Sequence, residues 1–137
     1  PVVTDGSAVQ PGAAVVRKAR GAKVVLVGTG SEVALCLDAA DALQAKGIPA
    51  TVVSMPSWDR FARQPAAYRR SVLPRGVPVV SVEAATTFGW ERHADASVGI
   101  DRFGASAPGS VALDKLGINV SNVVATARRL VNGKGSR

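Results

Sequence analysis

The chain has 137 residues, 47% of them hydrophobic and 20% charged, with 17 basic against 10 acidic side chains for a net charge of +7. This length corresponds to one domain, which buries roughly two thirds of its unfolded surface and so folds without a metal or disulfide. The composition excludes disordered, collagen-like and coiled-coil chains. The single cysteine, Cys36, excludes an internal disulfide and a cysteine-cluster metal site, and favours a reducing, cytoplasmic compartment.

The first predicted elements are two strands. Residues 1–12 are predicted to be a linker, and residues 13–18 a short strand that turns at residues 19–22 to form a hairpin with the next strand. The continuous apolar run Val24-Val25-Leu26-Val27 is typical of a strand covered on both faces, as in a parallel sheet with helices on each side.

A well-marked helix is predicted directly after this strand. Residues 29–32 match a capping box, in which the Thr29 hydroxyl accepts a hydrogen bond from the backbone N–H of Glu32 while the Glu32 carboxylate returns to the helix start. Lys46 and Gly47 mark its end. The predicted apolar face consists of Val33, Cys36, Leu37, Ala40 and Leu43, and the opposite face carries Glu32, Asp38 and Asp41.

The middle of the chain is predicted to continue the α/β pattern. Residues 50–54 form a strand parallel to the preceding one, which completes a βαβ unit. Ser57 is predicted to cap a short helix through Phe61, and Pro65 to open a second helix through Val72. Residues 77–82 then read as a third buried strand.

The last part of the chain is predicted to contain a short helix over 86–93 and a weaker strand over 98–102, with Gly99 inside it. Ser110 is predicted to cap a helix over 111–116, and Ser121 to cap the final helix. Residues 13–131 are predicted to form the domain, and residues 132–137 a disordered tail.

The candidate ligand site lies where the parallel strands end, because ligands of open α/β sheets collect outside the carboxyl ends of the strands. The loop over 28–31 offers backbone amides and a helix N-terminus to an anion, or else its glycines simply let the strand turn into a helix. A dinucleotide fingerprint is absent, since Val33 and Ser54 replace the residues it requires. The candidate anion or regulatory site comprises Gly28, Thr29, Gly30, Ser31, Glu83, Arg102, Gly104 and Ser106.

No residue is assigned a catalytic, cofactor-binding or metal-binding role. His93 is the only histidine, so a histidine-cluster zinc site is excluded, and Cys36 is predicted to be a core residue. Glu83 and Arg102 can form a pair, which is usually structural. The basic residues are dispersed and aromatic residues are only 4%, so nucleic-acid binding is the weakest of three functional hypotheses. No apolar run is long enough to span a membrane.

Five sequence blocks, in order, resemble the C-terminal domain of transketolases. The resemblance covers about residues 12–130. The blocks are LVGTGSEV (26–33), VSMPSWDRF (53–61), YRRSVLP (68–74), VEAATTFGW (82–90) and GIDRFGASAP (99–108). The β subunits of 2-oxoacid dehydrogenases have a similar last domain and are the alternative relatives, but residues 104–108 favour transketolase.

The resemblance implies a three-layer α/β sandwich, whose five-stranded mixed sheet is mostly parallel, with the first strand antiparallel and helices on both faces. It implies a parent enzyme that transfers two-carbon ketol units between sugar phosphates in the pentose phosphate pathway, with thiamine diphosphate and Mg²⁺ held by other domains of a homodimer. This segment is then a structural domain that packs on the pyrimidine-binding domain and is inactive alone. The alternative is a free-standing α/β module that binds a small anion.

Overall fold

A computed structural model of the chain describes residues 12–30, 32–83, 95–99 and 119–133. These residues form a mixed five-stranded sheet, in the order β1-β3-β2-β4-β5. The strands are β1 (Ala14–Arg17), β2 (Val24–Gly28), β3 (Ala50–Ser54), β4 (Val79–Glu83) and β5 (Ala96–Gly99). The helices are α1 (Glu32–Ala45), α2 (Trp58–Ala62), α3 (Ala66–Val72) and α4 (Val120–Asn132).

The centre of the sheet is parallel. β2 pairs in parallel with β3 on one side and with β4 on the other, and β5 continues the parallel arrangement beyond β4. α1 connects β2 to β3, as the predicted βαβ unit requires. The prediction of an α/β fold with a mixed sheet and flanking helices is therefore confirmed, and β3 has the predicted bounds.

The predicted hairpin between the first two strands is wrong. β1 pairs antiparallel with β3, and β3 lies between β1 and β2. Six residues, 18–23, connect the two strands, and the distance to be crossed is about two strand spacings, or ~10 Å, well within their reach. The amide of Ala19 donates to the Thr51 hydroxyl over 3.1 Å, which fastens this connection to β3.

The alternating side chains of the strands point into two separate hydrophobic clusters, one on each face of the sheet. Val24 and Leu26 of β2 lie in the first cluster, with buried residues of α1 and α4. Val25 and Val27 lie in the second, with Phe61 of α2 and with Val72 of α3. Burial on both faces explains why β2 is a continuous apolar run rather than an alternating one.

The orientation of α1 differs from the prediction. Its buried residues are Glu32, Cys36, Ala39, Ala40 and Leu43, whereas Val33 and Leu37 are only partly buried. Glu32 was predicted on the outer face, but it is 7% exposed. It lies one helical turn before Cys36 on the same side of the helix, so the spacing places it inward despite its charge.

The short helices follow the prediction closely. Ser57 is the N-cap of α2, and its hydroxyl accepts a hydrogen bond from the Arg60 amide over 3.2 Å, as predicted. α3 begins at Ala66, immediately after Pro65, whose fixed φ suits a helix start. The Tyr68 hydroxyl donates to the Ala13 carbonyl over 2.6 Å and so ties α3 to the beginning of β1.

The cap of the last helix is Asn119 and not Ser121 as predicted. α4 begins at Val120, and the Asn119 side-chain oxygen accepts from the Asn122 amide over 2.8 Å. Ser121 lies inside the first turn and is exposed. The helix continues through Asn132, where the tail was predicted to begin, and Gly133 is its C-cap.

This assignment gives a test of the cap. Asn119→Ala is expected to lower the free energy of unfolding by about 1 kcal/mol, because the Asn122 amide loses its acceptor. Ser121→Ala is the matched control and is expected to change stability by less than about 0.5 kcal/mol. Urea unfolding followed by circular dichroism measures both; a larger loss for Ser121→Ala would contradict the assignment.

β5 spans Ala96–Gly99, two residues earlier than the predicted strand start. Asp95 sets this start, since its carboxylate accepts from the Val79 amide over 2.7 Å and its amide donates to the Val79 carbonyl over 2.8 Å. The predicted helices over 86–93 and 111–116, with the Ser110 cap, lie outside the described residues, as do 1–11 and 134–137. In the part of the chain that is described, no helix has the length and apolar character to cross a membrane.

Candidate functional site

Four parallel strands end at the same edge of the sheet. The register aligns Gly28 of β2 with Ser54 of β3 and with Val82 of β4, and Glu83 of β4 with Gly99 of β5. The amide of Met55, just after β3, donates to the Gly28 carbonyl over 2.9 Å and closes β3 against β2. At the candidate site, the end of β3 is therefore hydrogen-bonded to the end of β2.

Some of the predicted site residues meet at this edge and others are not described. Gly28 ends β2, and Thr29 and Gly30 form the turn into α1. The backbone of Glu83 ends β4 at the same edge. The remaining predicted residues, Ser31, Arg102, Gly104 and Ser106, lie outside the described residues, so the Glu83–Arg102 pair stays a prediction.

Gly28 is required by a close approach between the strand and the helix. A Cβ atom at this position would lie 3.0 Å from the carbonyl carbon and oxygen of Glu32 and from the amide nitrogen of Val33. All three are backbone atoms, which cannot rotate away. The structural role of this glycine is therefore clear: it lets the first turn of α1 pack directly on the end of β2.

The turn into α1 is held by backbone hydrogen bonds. The Glu32 amide donates to the Thr29 carbonyl over 3.0 Å, and the Val33 amide donates to the Gly30 carbonyl over 3.2 Å. Gly30 has φ +54°, in the left-handed region that glycine adopts without strain. The hydroxyl half of the predicted capping box stays a prediction, because these bonds involve the carbonyl of Thr29.

The Glu32 carboxylate turns back toward the helix start. Its Oε2 atom lies 4.0 Å from the point where a Cβ of Gly30 would stand, and the residue is buried. A carboxylate is favourable there, because the N-terminus of a helix carries partial positive charge. It also means that an anion bound by residues 28–31 would meet a negative charge already in place. Anion binding at this turn stays a prediction, with this charge as its main obstacle.

Cys36 lies one turn further along α1 and is fully buried. Burial raises the pKa of its thiol from 9.0 to about 12, and the nearby Glu32 carboxylate contributes to the rise. A thiol with this pKa is almost entirely protonated at neutral pH and is a poor nucleophile. The prediction that Cys36 is a core residue agrees with its burial.

The raised pKa of Cys36 predicts a loss of stability in alkali. The unfolded thiol ionises near pH 9.0 and the folded thiol near 12. The unfolded chain therefore holds fewer protons above pH 9, and the free energy of unfolding falls by up to about 1.4 kcal/mol per pH unit from this group. Urea titrations from pH 8 to 10.5 should show this decline in the wild type. The Cys36→Ala variant should lack that share of it, and parallel losses in both proteins would contradict the assignment.

Sequence reasoning missed two side chains that connect distant parts of the chain, Tyr68 and Asp95. Each forms a hydrogen bond with a backbone group far away in sequence. The Tyr68 hydroxyl donates to the Ala13 carbonyl, and the Asp95 carboxylate accepts from the Val79 amide. For Asp95, the available signal was an acidic residue three positions before the predicted strand over 98–102. No local pattern identifies the partner of Tyr68.

The described residues contain no group of three or more His, Cys, Asp or Glu side chains placed to hold a metal ion. At the start of α1, the structure places the buried Glu32 carboxylate beside this edge.

Comparisons with known proteins give a consistent family. The family model for the "Transketolase-like TK C-terminal domain" matches residues 12–119. Transketolase from Nostoc sp. is 50% identical over 112 residues, which are 79% of this chain and 17% of that protein. The solved transketolase of Leishmania mexicana superposes with a TM-score of 0.86 at 48% identity, covering 94% of this chain and 20% of that one.

A further solved relative is the transketolase of Pichia stipitis in complex with sedoheptulose 7-phosphate. It superposes with a TM-score of 0.82 at 37% identity, over 89% of this chain and 18% of that one. The chain thus spans about a fifth of the length of the relatives it matches. The similarity extends across the sheet and helices described above.

Proposed function

This chain belongs to the family of transketolase C-terminal domains, and from that premise we propose that it is the C-terminal structural domain of a transketolase. The parent enzyme transfers two-carbon ketol units between sugar phosphates. The observation that carries the proposal is the match of residues 12–119 to the family, joined to the agreement in fold with the Leishmania enzyme over 94% of the chain.

The cofactors implied by this family, thiamine diphosphate and Mg²⁺, do not fit the residues described in this chain. A metal-bound diphosphate needs carboxylate or amide ligands for the metal and donors for the phosphates. The described residues contain no cluster of potential metal ligands, and the start of α1 holds the Glu32 carboxylate. We therefore derive no chemical step from this chain, and the proposal assigns both cofactors to other parts of the enzyme.

The role proposed for the domain is to support contacts within the enzyme. Both faces of its sheet are covered by its own helices, so it offers outer helix surfaces and strand ends, rather than an open sheet, to neighbours. The proposed neighbours are the pyrimidine-binding domain of the same enzyme and the second subunit of a homodimer. The single cysteine supports a cytoplasmic enzyme.

The proposal predicts that catalysis requires the rest of the enzyme. The isolated 137-residue chain is expected to show no ketol transfer from xylulose 5-phosphate to an aldose phosphate, and no heat of thiamine diphosphate binding by calorimetry. The parent enzyme is expected to show both. Turnover by the isolated chain would contradict a purely structural role, and a parent enzyme without ketol transfer would contradict the parentage.

A further inference from the structure

The corner formed by α2 and α3 carries a strong excess of positive charge. Residues 57–76 contain five arginines and a single acidic residue, Asp59. All six side chains are exposed. We call this feature the arginine surface; its members are Arg60, Arg63, Arg69, Arg70 and Arg75.

Two of these arginines are held in place by the backbone. The Nε atom of Arg63 donates to the Asp59 carbonyl over 3.4 Å, and the Nε atom of Arg69 donates to the Gln64 carbonyl over 3.0 Å. Neither residue forms an ion pair with an acidic side chain in the described part of the chain. Anchoring through Nε occupies one nitrogen of each guanidinium, so the two Nη groups can bind another partner with less side-chain freedom to lose.

The arginine surface brings like charges close together. Like charges three or four residues apart on a helix repel each other, and Arg60 and Arg63 have this spacing at α2. α2 has five residues and α3 has seven, lengths that are not stable without tertiary packing. An opposing acidic surface would turn this repulsion into attraction.

The polypeptide enters the domain beside this surface. The Ser57 amide, at the start of α2, donates to the Gly12 carbonyl over 3.1 Å. The Tyr68 hydroxyl of α3 donates to the carbonyl of Ala13, which is fully buried. The described domain therefore begins beside the α2–α3 corner. In the proposed parent enzyme, of which this chain spans about a fifth as the C-terminal domain, most of the polypeptide precedes this corner in sequence.

We propose that the arginine surface docks on an acidic surface of the polypeptide that precedes this domain in the parent enzyme. The proposal rests on the proposed function, and it deepens it by naming the contact face and the chemistry of its partner. Carboxylates suit the surface because guanidinium groups bind them through two parallel hydrogen bonds. Nucleic acid suits it less, because the Phe61 ring is buried and so does not serve as a base-stacking platform.

Hydrogen–deuterium exchange tests the contact without relying on activity. Backbone amides of residues 59–76 are expected to exchange at least about tenfold more slowly in the parent enzyme than in the isolated 137-residue chain, because docking suppresses local opening. Equal exchange in the two proteins would overturn the proposal. If the parent enzyme showed the slower exchange but no ketol transfer, only the proposed function would be contradicted. Failure of the docking proposal and failure of the proposed function are therefore distinguishable.

Two matched variants of the parent enzyme separate specific docking from bulk charge. Arg70→Glu with Arg75→Glu alters the arginine surface, and Lys46→Glu with Arg128→Glu alters exposed residues on the opposite side of the sheet. Each pair changes the net charge of this chain from +7 to +3, because each substitution removes two units. The first pair is expected to speed exchange at residues 59–76 at least about fivefold in the parent enzyme and not in the isolated chain; the control pair is expected to leave it unchanged.

The same variants test the competing partner. The competing result has two parts: the wild-type chain binds a DNA oligonucleotide in a salt-dependent way, and the first pair of substitutions abolishes this binding without altering exchange in the parent enzyme. In that case the surface would be a nucleic-acid interface. That result would overturn the proposal. An equal effect of both pairs would overturn it as well, since it would reduce the contact to net charge.

Discussion

Replacing Phe61 with alanine is expected to lower the free energy of unfolding by about 3–5 kcal/mol. Phe61 is 2% exposed and is the largest fully buried side chain in the described structure. It packs in the cluster between the sheet and the short helices, with Met55, Val72 and Val79. Its removal leaves a cavity that two helices of five and seven residues cannot close without shifting.

Urea unfolding of Phe61→Ala and Phe61→Leu measures this effect. The leucine variant keeps most of the apolar volume and is expected to lose about 1–2 kcal/mol. A loss below about 1 kcal/mol for alanine, with an unchanged dependence on urea, would show that the α2–α3 layer contributes little to the cooperative unit. That outcome would also mean that the packing of Phe61 does not hold the arginine surface in place.

The elements that sequence reasoning predicted well are those fixed by local chemistry. The strand over 50–54 and the Ser57 cap of α2 depend on a few neighbouring residues, and both were confirmed. The α/β class followed from the apolar run of β2, because only a strand buried on both faces has that pattern. Local patterns also placed α1 between β2 and β3.

The errors concern partners that are distant in sequence. The hairpin prediction assumed that β1 pairs with its nearest neighbour, but β2 has β3 and β4 on its two sides, and β1 is left with the outer edge of β3. Glu32 was placed outside because of its charge, whereas its spacing from Cys36 turns it inward, where the helix N-terminus stabilises it. Propensity did not distinguish Asn119 from Ser121 as a cap, because both residue types cap helices well.

The candidate site was predicted in position and only partly in chemistry. Parallel topology placed Gly28, Thr29, Gly30 and Glu83 at one edge. The glycine pattern did not reveal that Gly28 is needed for contact with the backbone of Glu32, nor that a carboxylate lies at the helix start. Both facts depend on how closely α1 approaches β2, a distance that is set by packing and not by the loop sequence.

Gly12→Ala is expected to lower the free energy of unfolding by about 3 kcal/mol. Gly12 has φ +87°, and a Cβ atom there would overlap the Ser57 carbonyl oxygen and the Phe61 amide nitrogen. The chain must move away from α2 to avoid these backbone atoms. The left-handed backbone costs an alanine about 1 kcal/mol, and loss of the hydrogen bonds at Gly12 and Ala13 adds about 2 kcal/mol.

Gly21→Ala is the matched control, because Gly21 also has a positive φ, +64°, but nothing lies within 4 Å of its added Cβ. It should lose only the backbone share, about 1 kcal/mol. Faster amide exchange at Ser57 in Gly12→Ala, and not in Gly21→Ala, would locate the damage at the contact between the entering chain and α2. Equal stability losses in the two variants would mean that the contact between Gly12 and α2 contributes nothing to stability. Packing would then not fix the path by which the chain enters beside the arginine surface.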